Sequence, residues 1–121
     1  MRTVPKTADL ALATSLGLTA AAQAAGGNVA HGRAKAMQYC SACHKVTATQ
    51  PQPPQVYDRD ADDHIQAPPF TTIAAKYAHN EAGIRAFVHL PQYPMPAQEL
   101  SPTDLADLAA YILSLNNPKK P

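Results

Sequence analysis

A chain of 121 residues with 10 Lys and Arg against 9 Asp and Glu carries no global charge with which to hold a nucleic acid. No strong polybasic patch addresses a membrane surface, so any partner is expected to be recognised by a local patch. The length suits one small domain, near the lower limit for burying an adequate core unaided.

Arg2 and Lys6 precede an apolar stretch from Leu10 to Ala22, which runs into Ala22-Gln23-Ala24. This is the pattern of a secretory signal peptide with a small-residue cleavage site. Residues 1–24 are therefore expected to be a leader and residues 25–121 the exported domain, placed in the periplasm, with retention of the leader as an anchor the alternative. The apolar stretch is short and alanine-rich for a membrane span, and none is expected after cleavage. Loss of Arg2, Lys6 and Asp9 leaves eight basic and eight acidic side chains, a formal charge of zero.

From about Val29 to Cys40 the chain carries good helix formers, with Gly32 and Ala36 four apart, so one face of that helix is nearly bare and a second helix can cross it closely. The next segment, Cys40-Ser41-Ala42-Cys43-His44, contains the only two cysteines of the chain. Two thiols three positions apart can each add to one vinyl group of a haem, and the histidine that follows can reach the iron, which is the attachment pattern of a c-type haem. A zinc site would need a second pair of ligands at finger spacing, which is missing. A thioredoxin-like pair would sit at the head of a helix among alternating strands, whereas this one follows a helical stretch.

Residues 45–67 read as a long irregular surface loop, with Pro51, Pro53 and Pro54 followed by Asp58, Asp60, Asp62 and Asp63. A calcium loop beginning at Asp58 would want glycine at its sixth position and glutamate at its twelfth, where Asp63 and Pro69 stand, so a solvated loop is favoured. After Pro68-Pro69, the set Phe70, Ile73, Ala74 and Tyr77 has helical spacing, as do Ile84, Phe87 and Val88 after a cap at Asn80. The last helix has the clearest start, with Ser101 as cap, Pro102 at the first helical position and Asp104 three residues after the cap. Leu100 and Leu105 are placed to staple it. Its apolar face is Leu105, Leu108, Ala109, Ile112 and Leu115 with Tyr111 beside it, and the bare face at Gly32 and Ala36 is the obvious surface to receive it. No segment alternates with period two, so an all-α domain is expected.

An iron bound at His44 can take a second ligand from Met95, His89, His79, His64, His31, Met37 or the leader methionine. Met95 stands out because it lies in Tyr93-Pro94-Met95-Pro96, where prolines hold the backbone open on either side of the thioether, and His-Met is a standard axial pair. His89, near the end of the third helix, is the competitor. His44 also needs an acceptor for its other ring nitrogen, and a backbone carbonyl in the stiff Ala67-Pro68-Pro69 stretch can serve.

Together these segments resemble a class I cytochrome c, of the short bacterial monohaem type. The resemblance spans nearly the whole region after the leader and rests on Gly32, Cys40-Ser41-Ala42-Cys43-His44, Ala67-Pro68-Pro69-Phe70, Ile73-Ala74-Ala75-Lys76-Tyr77, Tyr93-Pro94-Met95-Pro96 and Leu108-Ala109-Ala110-Tyr111-Ile112. It implies about four helices around one haem c, thioether links at Cys40 and Cys43, a proximal ligand at His44, a distal ligand at Met95 and a proximal-side carbonyl from Pro68. It further implies that the first and last helices cross near Gly32 and Tyr111. The implied activity is one-electron transfer, not catalysis, by a monomer between a redox protein donor and acceptor. A haem protein with an open distal site, as in a gas sensor or haem enzyme, and a haem subunit of a larger oxidoreductase are the alternatives. The chain departs from the family in its proline-rich, acidic segment before Pro68 and in having no tryptophan. The haem propionate partners therefore stay open among Arg59, Tyr77, Arg85 and Tyr93.

Overall fold

The computed structural model describes residues 26–116 and the single residue 3, so the expected leader and its expected cleavage point lie outside the described residues. The order of elements is α1 (Val29–Tyr39), β1 (Val56–Asp58), β2 (Asp63–Ile65), α2 (Phe70–Lys76), α3 (Glu81–His89) and α4 (Pro102–Ser114). Each helix expected from the sequence is present.

Local chemistry accounts for the helix starts. The Asn28 side chain accepts from the His31 N–H at the head of α1, and the Asn80 side chain accepts from the Gly83 N–H at the head of α3. Ser101 and Asp104 form a reciprocal capping box at the head of α4, with Pro102 at the first helical position. α2 lacks a side-chain cap. Its first N–H, from Phe70, donates instead to the Lys45 carbonyl at 3.0 Å, which ties the start of α2 to the segment just after the cysteine motif.

α1 and α4 make the most extensive helix contact, and α2 and α3 pack on α4 from other sides. α1 buries only Gly32 and Ala36, whereas α4 buries Asp107, Leu108, Ala109, Tyr111 and Ile112. The approach is backbone to backbone: a Cβ added at Gly32 would lie 1.9 Å from the Asp107 carbonyl oxygen and 2.9 Å from the Tyr111 Cβ. Only glycine permits that separation. The crossing is sealed at the head of α1, where Asp107 accepts from the Asn28 N–H at 2.6 Å and meets His31 Nδ1 at 2.5 Å.

The all-α reading stands, and the loop reading of residues 45–67 is corrected at one place. Residues 56–65, read as part of an irregular loop, form a two-stranded antiparallel hairpin pairing Val56 with Ile65 and Asp58 with Asp63. Its turn is built from the acidic run itself: Asp58 accepts from the Asp60 and Ala61 N–H groups, and Asp62 adopts a left-handed φ of 52°. Asp tolerates that conformation better than most residues. Strands of three residues are too short to show a period of two in sequence.

Candidate functional site

His44 is set by its surroundings more than by its own rotamer. The N–H groups of Cys43 and His44 both donate to the Cys40 carbonyl, so the motif turns tightly as it leaves α1. The imidazole is buried, and its Nδ1 lies 2.7 Å from the Pro68 carbonyl oxygen. A carbonyl only accepts, so Nδ1 carries the proton and Nε2 keeps its lone pair. Phe70 packs on the ring at a centroid distance of 5.6 Å and itself rests on Tyr111. The Tyr111 hydroxyl donates to the Val46 carbonyl at 2.5 Å, holding the chain two residues beyond His44.

His44 opens onto an apolar cavity of about 250 Å³ that the Tyr93-Pro94-Met95-Pro96 segment also lines. Cys40, Cys43, Pro68 and Met95 line the same space. A smaller cavity reaches inward to Phe70, Ile84, Leu108 and Ile112, and both His44 and Met95 border it as well. The same apolar space is thus lined by an imidazole, a half-buried thioether and two thiols. Neither cysteine is in a disulfide. Burial, with Cys43 alongside, pushes the Cys40 thiol up to about 11, so it stays protonated at neutral pH.

The rival ligands lie elsewhere. His89 is exposed on the outer side of α3, and His64 is exposed on the hairpin, its ring 5.2 Å from that of Tyr57. His79 is exposed, His31 is engaged with Asp107, and Met37 is 42% exposed on α1. Among the described residues, Met95 is the one candidate that shares a cavity with His44. Of the four propionate candidates, Tyr93 lines the main cavity and Tyr77 the smaller one, while the Arg59 guanidinium stacks over the Tyr93 ring at 4.5 Å. Arg85 faces away, paired with Glu81 at 3.6 Å.

Several lining residues had no sequence signal. Val56 and Ile65, partners across the hairpin, both face the cavity, so the segment read as loop supplies part of its wall. Gln98 joins them from the approach to α4, beside Phe87 and Leu100, which the sequence marks as an apolar helix position and a staple residue. Alternation in the hairpin explains the inward pair, but only once the pairing is known.

The donor set suits a covalently held haem: two thiols for the vinyl groups, a metal-competent imidazole nitrogen, a soft sulfur and apolar walls, all lining one space. The cytochrome c family model matches residues 29–116, which takes in all of these groups. The chain has no significant match among curated proteins or solved structures.

Proposed function

The chain belongs to the cytochrome c family, and from that premise we propose that it is a monohaem one-electron carrier with axial ligands His44 and Met95. Haem c joined through Cys40 and Cys43 supplies, when bound, exchange of a single electron between Fe(II) and Fe(III). Everything else is the work of the chain. The observation that carries the reading is that His44 and Met95 both line the same two apolar cavities.

Each residue has a defined task in this reading. Cys40 and Cys43 tether, so that the group is not lost on reduction or oxidation. Pro68, by accepting from Nδ1, orients the imidazole and raises the basicity of Nε2. Met95 offers a thioether, which favours the reduced metal, and closes the position where an exogenous ligand would otherwise enter. Apolar walls from Val56, Ile65, Phe87 and Leu100 exclude water and disfavour the more highly charged oxidised state. We further propose that the protein is exported to the periplasm as a monomer and exchanges electrons with redox proteins there. No helix of the described residues is long and apolar enough to cross a membrane.

Met95→Ala tests the reading. The ferric wild-type protein should show a sulfur-to-iron charge-transfer band, and the variant should lose it, bind carbon monoxide readily when ferrous and have a lower reduction potential. An unchanged spectrum and potential, or ready carbon monoxide binding by the wild type, would overturn His/Met ligation in favour of an open haem site.

A further inference from the structure

We infer that Gln50 is a positioning residue for His44, its side-chain amide holding the main chain in the register that keeps the imidazole on the Pro68 carbonyl. The inference rests on His44 as the proximal ligand and adds a residue that lies outside the five-residue motif and outside the cavity walls.

Gln50 uses its amide fully. Nε2 donates to the carbonyls of Ser41 at 2.8 Å and His44 at 3.1 Å, and Oε1 accepts from the Val46 N–H at 2.9 Å. The orientation follows from the partners: two carbonyls can only accept and an N–H can only donate, so a flipped amide would oppose like groups at all three contacts. The segment from His44 to Val46 has left the helix and has no ladder to satisfy it, so these groups need partners from elsewhere. The clamp is itself restrained, because the Gln50 N–H donates to Thr47 Oγ1 at 3.2 Å and Pro51 biases Gln50 to an extended backbone.

The same three residues govern both ends of the His44–Pro68 hydrogen bond. His44 carries the imidazole. Lys45 accepts from the Phe70 N–H, two residues beyond Pro68, and so sets where the acceptor lies. Val46 is fixed on its far side by Tyr111. Gln50 holds the near side, at His44 and Val46 together. The role demands glutamine: glutamate is isosteric but turns one oxygen toward the carbonyls of Ser41 and His44, lysine cannot accept, and asparagine is one methylene short.

The test uses the haem-loaded protein in its diamagnetic ferrous state. Hydrogen–deuterium exchange of the His44 Nδ1 proton is followed by NMR in the wild type, in Gln50→Glu and in Gln50→Ala, with the slowest amides of α4 measured in the same samples as the reference for global opening. Gln52→Ala, at an exposed position two residues beyond the clamp, is the control. Losing the clamp should speed Nδ1 exchange about tenfold or more relative to the α4 amides, in both Gln50 variants. Gln52→Ala should leave that ratio near the wild-type value. If Nδ1 exchange in the Gln50 variants changes only in step with the α4 amides, Gln50 serves stability alone and the inference is wrong. If the wild-type His44 ring protons lack the large shifts of an iron-bound imidazole, it is the ligand assignment that fails. A Gln50→Glu chain that takes up no haem leaves Gln50→Ala to decide the matter by the same ratio.

Discussion

Gly32→Ala is the sharpest test of how this fold is held, because local propensity and tertiary packing make opposite predictions for it. In an isolated helix the change is favourable by up to about 1 kcal/mol. In the folded protein the new methyl would sit 1.9 Å from the Asp107 carbonyl oxygen and 2.4 Å from its carbon, about 1.5 Å short of ordinary contact. The obstacle is main chain and cannot swing aside, so α1 and α4 must separate. Separation loosens Ala36 and Ala109, both fully buried, and strains the Tyr111–Val46 hydrogen bond that sits under His44. Overpacking of this kind costs about 1–3 kcal/mol, and a rigid backbone neighbour puts the cost at the upper end. After the helix-propensity gain is set against it, a net loss of about 2 kcal/mol remains, or a fall of about 10 °C in the thermal midpoint of so small a domain. The assay is thermal and urea unfolding of the haem-loaded protein, with Gly26→Ala as control, since a Cβ there meets nothing within 4 Å. A Gly32→Ala protein as stable as the wild type, or more so, would refute the close crossing.

Other residues give independent tests. Tyr111→Phe removes the donor to the Val46 carbonyl in a buried setting and should cost about 1–3 kcal/mol in urea unfolding; no loss would mean the carbonyl finds another partner. The hydrogen bond from His31, with a second from the Asn28 N–H, holds the Asp107 carboxyl below the ordinary carboxylate range. A carboxyl lowered by folding contributes stability that is present above its unfolded pKa of about 4 and is lost as the pH falls through the folded value. The stability advantage of wild type over Asp107→Asn should therefore be constant near neutrality and shrink on acidification below about pH 4; an advantage independent of pH would remove Asp107 from the acid response. Haem-free protein should be largely unfolded by circular dichroism, because a cavity this apolar leaves the core without its centre and binding to the native state adds to folding free energy. A cooperative melt of the apoprotein would contradict that.

Much of the architecture was legible because its signals are local. The caps at Asn80 and Ser101 bond within their own helix turn, so residue type and spacing suffice to place them. Likewise the small face at Gly32 and Ala36 and the apolar face ending at Ile112 announce complementary surfaces before either is seen against the other. The hairpin was not legible, since its strands are three residues long and its turn depends on Asp58 capping two N–H groups while Asp62 takes a left-handed φ. Asp107 was missed for a different reason. Inside an apolar helix face it looks like a solvated interruption, and only the approach of Asn28 and His31 from a position 76 or more residues earlier makes its burial tolerable.

The sequence by itself determined what kind of chemistry is available: a cysteine pair with its histidine, a methionine between prolines and four helices with defined ends. These follow from residue identity and short-range spacing, which covalent geometry and a few hydrogen bonds convert directly into local structure. Tertiary structure alone decided which of those groups meet. It brings Met95 rather than His89 into the cavity that His44 lines, turns Val56 and Ile65 inward, carries Arg85 away from the cavity and brings Gln50 onto the carbonyls of the motif. Such pairings depend on long-range packing, in which α4 meets α1 at the close backbone crossing at Gly32 and also carries α2 and α3.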